Sequence, residues 1–120
     1  RDGSDGWTTL ARMGTAMGLL EGIVAWNREL RRPVTERSPA LLALEHTRCS
    51  RVLDRLEVEV AQGAYTGRLD AARIALGTTL SWTERRHRTF AWREGRPVLS
   101  AWYDDIATHP SFAATMPPVS

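Results

Sequence analysis

Lysine is absent from this chain. All 16 basic residues are arginine, and 14 acidic residues oppose them, so the formal charge is only +2. A nucleic-acid binder gathers its cations on one face beside stacking aromatics. Here the only basic clusters are Arg31-Arg32 and Arg85-Arg86-His87-Arg88. Both fall where helices are expected to end, and the macrodipole favours cations there. The pattern predicts solvated helix ends and no nucleic-acid partner.

Cysteine occurs once, at Cys49, which excludes an internal disulfide and fits a reducing, cytoplasmic compartment. No apolar run approaches the roughly 18 residues of a membrane span, and no secretory segment is present, so neither membrane nor export is expected. His46 and Cys49 stand three apart without a second ligand pair, so no metal site is predicted. No Ser-His-Asp spacing accompanies His46, His87 or His109. His87 lies in a charged stretch and His109 precedes a proline, which places both on the surface. Period-2 alternation is also lacking, which excludes a strand of useful length.

What remains is helical. The chain has 120 residues, 42% of them hydrophobic and 25% charged, enough for one all-α domain over residues 1–120 with a real core. A first helix is expected from about Trp7 to Arg31. It carries one apolar row of Leu10, Met13, Met17, Leu20 and Val24 and a second of Leu19, Ile23, Trp26 and Leu30, which implies contacts on two sides. Gly14, Gly18 and Gly22 recur along it, each weakening an isolated helix by roughly 1 kcal/mol relative to alanine. Close packing against another helix or close approach of a ligand would offset that loss.

Ser38 followed by Pro39 reads as an N-cap and first helical position, opening a second helix that runs to Gln62 before Gly63. Leu42, Cys49, Val52, Leu53, Leu56 and Val60 form its stripe. Cys49 reads as a small buried apolar residue, while Glu45, Glu57 and Glu59 fall outside the stripe, among surface pairs. Asp70 is expected to cap a third, enclosed helix, with Leu69 and Ile74 as a hydrophobic staple and Arg73 left at the unfavourable end of the dipole. Gly95 and Pro97 open a fourth helix to Thr108, ended by Pro110, with Phe112 folding back over it.

The order Trp92-Arg93-Glu94-Gly95-Arg96-Pro97, Leu99, Trp102-Tyr103, His109-Pro110-Ser111-Phe112 and Thr115-Met116-Pro117-Pro118 resembles the end of the all-helical C-terminal domain of glutathione transferases. Members often have arginine where His109 stands. The capping position at Asp70 is similar to the N-capping box of that fold's buried central helix, with Arg73 where an Asp is usual. Ala16-Met17-Gly18-Leu19-Leu20-Glu21 and Glu29 resemble a bacterial subgroup pattern, Ala-Asp-Gly-Ile-Leu-Asp followed by Glu; Met17 replaces its first acid.

The resemblance implies a glutathione S-transferase C-terminal domain-like helical bundle, forming the electrophile side of the active site and part of a homodimer interface. The thioredoxin-like N-terminal domain that holds most of the glutathione co-substrate has no counterpart in this chain. Conjugation is therefore expected of the parent and not of the isolated domain, which carries no catalytic residue of its own. Glu21 corresponds to the acid that reaches glutathione. Arg12, Met13 and Met17 are placed to line the pocket of a small hydrophobic electrophile, with core packing the alternative for the methionines. A non-catalytic assembly module is the other function consistent with this fold.

Overall fold

The computed structural model describes residues 3–115. Helix α1 (Gly3–Leu30) is followed by a single 3-10 turn (Val34–Glu36), then α2 (Pro39–Ala61), α3 (Ala71–Arg86), α4 (Pro97–Ala107) and the short α5 (Pro110–Thr115). No strand occurs among the described residues. Met116, Pro117 and Pro118 lie outside them.

Each boundary has a local cause. Ser38 Oγ accepts from Leu41 N, 3.1 Å, with Pro39 in the first turn of α2. Asp70 Oδ1 accepts from Arg73 N, 2.9 Å, at the start of α3. Arg73 donates its guanidinium to the Gly67 carbonyl, a loop acceptor rather than an acid. Pro110 ends α4 as expected and also begins α5, because a ring-fixed φ and a missing amide hydrogen suit a first helical turn.

Of the two apolar rows on α1, only one enters the core. Leu19, Ile23 and Trp26 are buried with Leu53, Leu56, Leu76 and Leu80 from α2 and α3. Helix α3 runs parallel to α1. Its Thr79 hydroxyl donates to Ala16 O at 3.1 Å, and His87 at its end packs on Trp26, so the C-termini of both helices meet at one end of the bundle.

The turn into α2 hangs on Glu29. Its carboxylate accepts Ser38 N at 2.6 Å and pairs with Arg32 at 3.4 Å. Arg37 donates to the Leu30 and Arg32 carbonyls at 2.6 and 2.9 Å, so the end of α1 is capped from within the turn.

At the other end, Tyr65 occupies the left-handed region, φ 60°. It is held there by its hydroxyl donating to Arg12 O, 3.2 Å, and by its own carbonyl accepting from Trp102 Nε1, 2.9 Å. Phe112 does fold back. A Cβ at Gly77 would lie 2.6 Å from Phe112 Cε1, so the ring fills the notch that this glycine leaves in α3.

Two expectations are corrected. Glu45 is buried, because α1 presents Gly22 to α2 and the helices close over the carboxylate; a Cβ at Gly22 would meet Glu45 Oε1 and Cys49 Sγ, both at 3.2 Å. His87 is buried as well, despite its arginine neighbours. The chain leaves α3 at this residue, φ −113° and ψ 63°, and turns the imidazole under Trp26 and Phe90.

Candidate functional site

The other apolar row of α1, from Leu10 to Val24, faces largely away from the core, with Met13 alone packed against it. Leu10 is 58% exposed and Met17 54%, with Trp7 at 74% beyond them. Met13, Leu20 and Val24 are half-buried along the same side. Glu21 follows Met17 by four residues, so its exposed carboxylate rises from the same side. Three of the four residues singled out from the sequence, Met13, Met17 and Glu21, are thus brought together.

Arg12 is not with them. It turns toward the α2–α3 loop, its Cζ 5.5 Å from the centre of the Tyr65 ring, and borders a cleft of about 460 Å³ with Thr8, Thr15, Glu59 and Gln62.

Glycine spacing had left two readings open, and the structure divides them by position. Gly22 is in close helix contact, whereas a Cβ at Gly14 or Gly18 would meet nothing within 4 Å. Those two glycines line a shallow groove of about 220 Å³ with Arg48, Val52 and Arg55 of α2.

Continuing along the exposed side of α1 leads to a cleft of about 310 Å³ between α1 and α3, lined by Val24, Asn27, Arg28, Arg31, Trp82 and Arg86. Val24 and Trp82 give it apolar walls. A second cleft of about 470 Å³ shares Asn27, Arg31 and Arg86, and adds Arg85, His87 and Arg88.

No carboxylate lines either cleft. The Arg28, Arg31 and Arg86 guanidiniums have no hydrogen-bond or ion-pair partner among the described residues. Arg31 and Arg86 were legible only as members of two helix-end clusters, and Arg28 was not singled out at all. Their convergence depends on α1 and α3 being parallel, which no spacing within either helix encodes.

His87 stands edge-on to Trp26, ring centres 4.2 Å apart, with Phe90 at 5.5 Å. Neither ring nitrogen is hydrogen-bonded, and burial holds its pKa below the usual histidine value.

Two other groups able to act as nucleophile or acid are held inert. Burial, with Glu45 nearby, pushes the Cys49 thiol up to about 11, and burial pushes the Tyr65 phenol up to about 12. No group of three or more metal-ligating side chains occurs among the described residues. No helix among them is long and apolar enough to cross a membrane.

Residues 16–105 match the family model described as glutathione S-transferase, C-terminal domain. No curated protein matches the chain significantly.

Among solved structures, a glutathione transferase family member from Pseudomonas fluorescens Pf-5, with bound S-(propanoic acid)-glutathione, superposes with a TM-score of 0.88 at 33% identity. The match covers 99% of this chain and 61% of that one. The Pf-5 glutathione transferase family member with bound glutathione gives 0.87 at 33% identity, over 99% and 58%. A glutathione S-transferase from Methylobacillus flagellatus KT with glutathione bound shares the fold, TM-score 0.86 at 23% identity, over 98% and 59%. The chain spans about three-fifths of the length of these structures.

Proposed function

Because this chain belongs to the glutathione S-transferase C-terminal domain family, we propose that it is the helical half of a subunit that joins glutathione to electrophiles. The observation that carries the reading is the apolar row of α1 that runs from Leu10 to Val24. A helix that keeps Leu10 and Met17 exposed, with Leu20 and Val24 half-buried beside them and only Met13 of the row packed against the core, is built to face something else. The row leads into the Trp82-walled cleft, and together they form the electrophile wall.

Conjugation needs a glutathione thiolate, since the thiolate and not the thiol attacks. Cys49 and Tyr65 are buried with raised pKa values, so neither activates it. As the family resemblance implies, activation is assigned in this proposal to a thioredoxin-like N-terminal domain, which would also hold most of the tripeptide. This chain contributes orientation, holding the electrophile beside the sulfur so that the encounter becomes intramolecular.

Glutathione as co-substrate is supported by the Pseudomonas fluorescens relatives, solved with glutathione and with S-(propanoic acid)-glutathione. Glu21 is placed to accept from glutathione's ammonium or amide groups; Met13 and Met17 supply adaptable apolar contact. Arg12, turned to the α2–α3 loop, acts on a substrate only from the far side of α1. Homodimerisation and a cytoplasmic setting complete the proposal. Exposed Trp7 and Leu10 also suit a partner chain, which favours the assembly module as the second reading.

Calorimetry of the full-length parent with glutathione decides between them. Micromolar binding weakened roughly tenfold by Glu21→Ala supports the transferase and places Glu21 at the ligand. A folded parent that binds no glutathione overturns the enzyme reading and leaves assembly. Binding that Glu21→Ala does not alter removes Glu21 from the site and spares the rest.

A further inference from the structure

Resting on the reading of the α1–α3 cleft as the electrophile wall, we propose that the electrophile carries an oxyanion, a carboxylate or its equivalent, on an apolar body. The cleft holds Arg28, Arg31 and Arg86 with no carboxylate in its lining, and Val24 and Trp82 beside them give the apolar half of the site.

Their charge is not consumed elsewhere. Arg32 pairs with Glu29 and Arg93 with Glu84, but Arg28, Arg31 and Arg86 have no partner among the described residues. Nor do they serve as caps. Arg37 takes the carbonyls at the end of α1, and the backbone amide of His87 takes Thr83 O near the end of α3. Arg28 and Arg86 lie in the last turns of α1 and α3 and gain from the helix dipoles, an interaction that leaves their N–H donors unspent.

A second, independent observation comes from His87. It is 2% exposed, borders the adjoining cleft that shares Arg31 and Arg86, and has no partner on either ring nitrogen. A buried polar group without a hydrogen bond is costly, so native chains rarely leave one without a use. An oxyanion drawn in by Arg31 and Arg86 would arrive beside this unpartnered ring.

Guanidinium is charged at any working pH and meets a carboxylate with two parallel N–H donors, so the site selects planar oxyanions over point charges. The apolar body stacks against Trp82, which leaves its reactive carbon toward the α1 row.

The test uses the full-length parent and two unreactive probes of one shape, 3-phenylpropanoate and its uncharged amide. Binding is followed by the indole N–H resonance of Trp82 in two-dimensional NMR. The carboxylate is expected to bind roughly tenfold more tightly than the amide, and Arg31→Gln with Arg86→Gln to abolish the difference. The fold of that variant is checked by its spectral dispersion and melting temperature.

Equal affinities, no binding of either probe, or a preference that survives the double substitution overturns the proposal. Failure of the underlying reading is seen separately. A parent that binds glutathione while its cleft shows no anion preference sinks only the substrate class. A cleft that prefers the anion in a parent unable to bind glutathione shows that the anion is no co-substrate.

Discussion

Arg96 and Arg31 are the same residue type in opposite circumstances. Around Arg96, at the start of α4, each guanidinium nitrogen donates a hydrogen bond. Nε meets Asp54 Oδ1 at 2.9 Å, Nη1 the Trp92 carbonyl at 2.9 Å and Nη2 the Ser50 carbonyl at 3.3 Å, with the side chain buried. Its neighbour Arg93 bridges Glu84 at 3.0 Å and Asp104 at 2.9 Å, and its guanidinium lies 4.9 Å from the centre of the Trp92 ring. At the joint end of α1 and α3, by contrast, Arg28, Arg31 and Arg86 surround clefts and satisfy nothing among the described residues. Saturated guanidiniums hold elements together; unsaturated ones are available to a ligand.

Replacing one arginine from each region is the direct way to break this contrast. Arg96→Met is expected to cost about 2–4 kcal/mol in urea unfolding, because a buried and a half-buried carbonyl lose this donor along with an ion pair. A loss under about 1 kcal/mol removes the distinction between the regions.

His87 belongs to the unsaturated end and sharpens the comparison through pH. Its folded-state pKa lies below the ordinary 6.5 because burial disfavours the imidazolium. The unfolded chain therefore takes up the proton first, and the contribution to stability is intact above about pH 6.5 and lost as pH falls below it. Melting temperatures measured downward from pH 7.5 are expected to drop through this range, and His87→Phe to remove that part of the drop while keeping the contact with Trp26.

Arg28→Gln is expected to have the smallest effect, stability unchanged within about 0.5 kcal/mol, since no internal partner is lost. A larger change means that the residue is structural after all.

Much of the partnered region was legible, because its devices are local. Ser38-Pro39, Asp70, Gly95-Pro97 and Pro110 act through their own φ angles and caps, and all sit at the boundaries expected of them. The fold class and family resemblance followed from that punctuation. The candidate site was less legible, because it is a product of how helices lie against each other. Two apolar rows on α1 were visible, but which row meets the core depends on where α2 and α3 arrive. Glu45 looked like a surface acid until Gly22 allowed α1 to close over it. His87 looked solvated because its sequence neighbours are charged, while its spatial neighbours are Trp26 and Phe90. Met13, Met17 and Glu21 share a side because helical spacing demands it; Arg12 was separated from them by the same geometry.

The start of α4 imposes an order of events on folding. Arg96 offers no side-chain cap, and the free amides of Val98 and Leu99 are taken instead by the two oxygens of Glu57, at 3.0 and 2.7 Å, from α2. At 11 residues α4 is shorter than the roughly 12–15 that an isolated helix needs to persist in water. Its first turn thus acquires its cap only on docking, after α2 has formed. The Arg96 bonds to Asp54 and Ser50 of α2 are expected to close as a late, long-range step, and α4 to open before α2 when the chain is stressed.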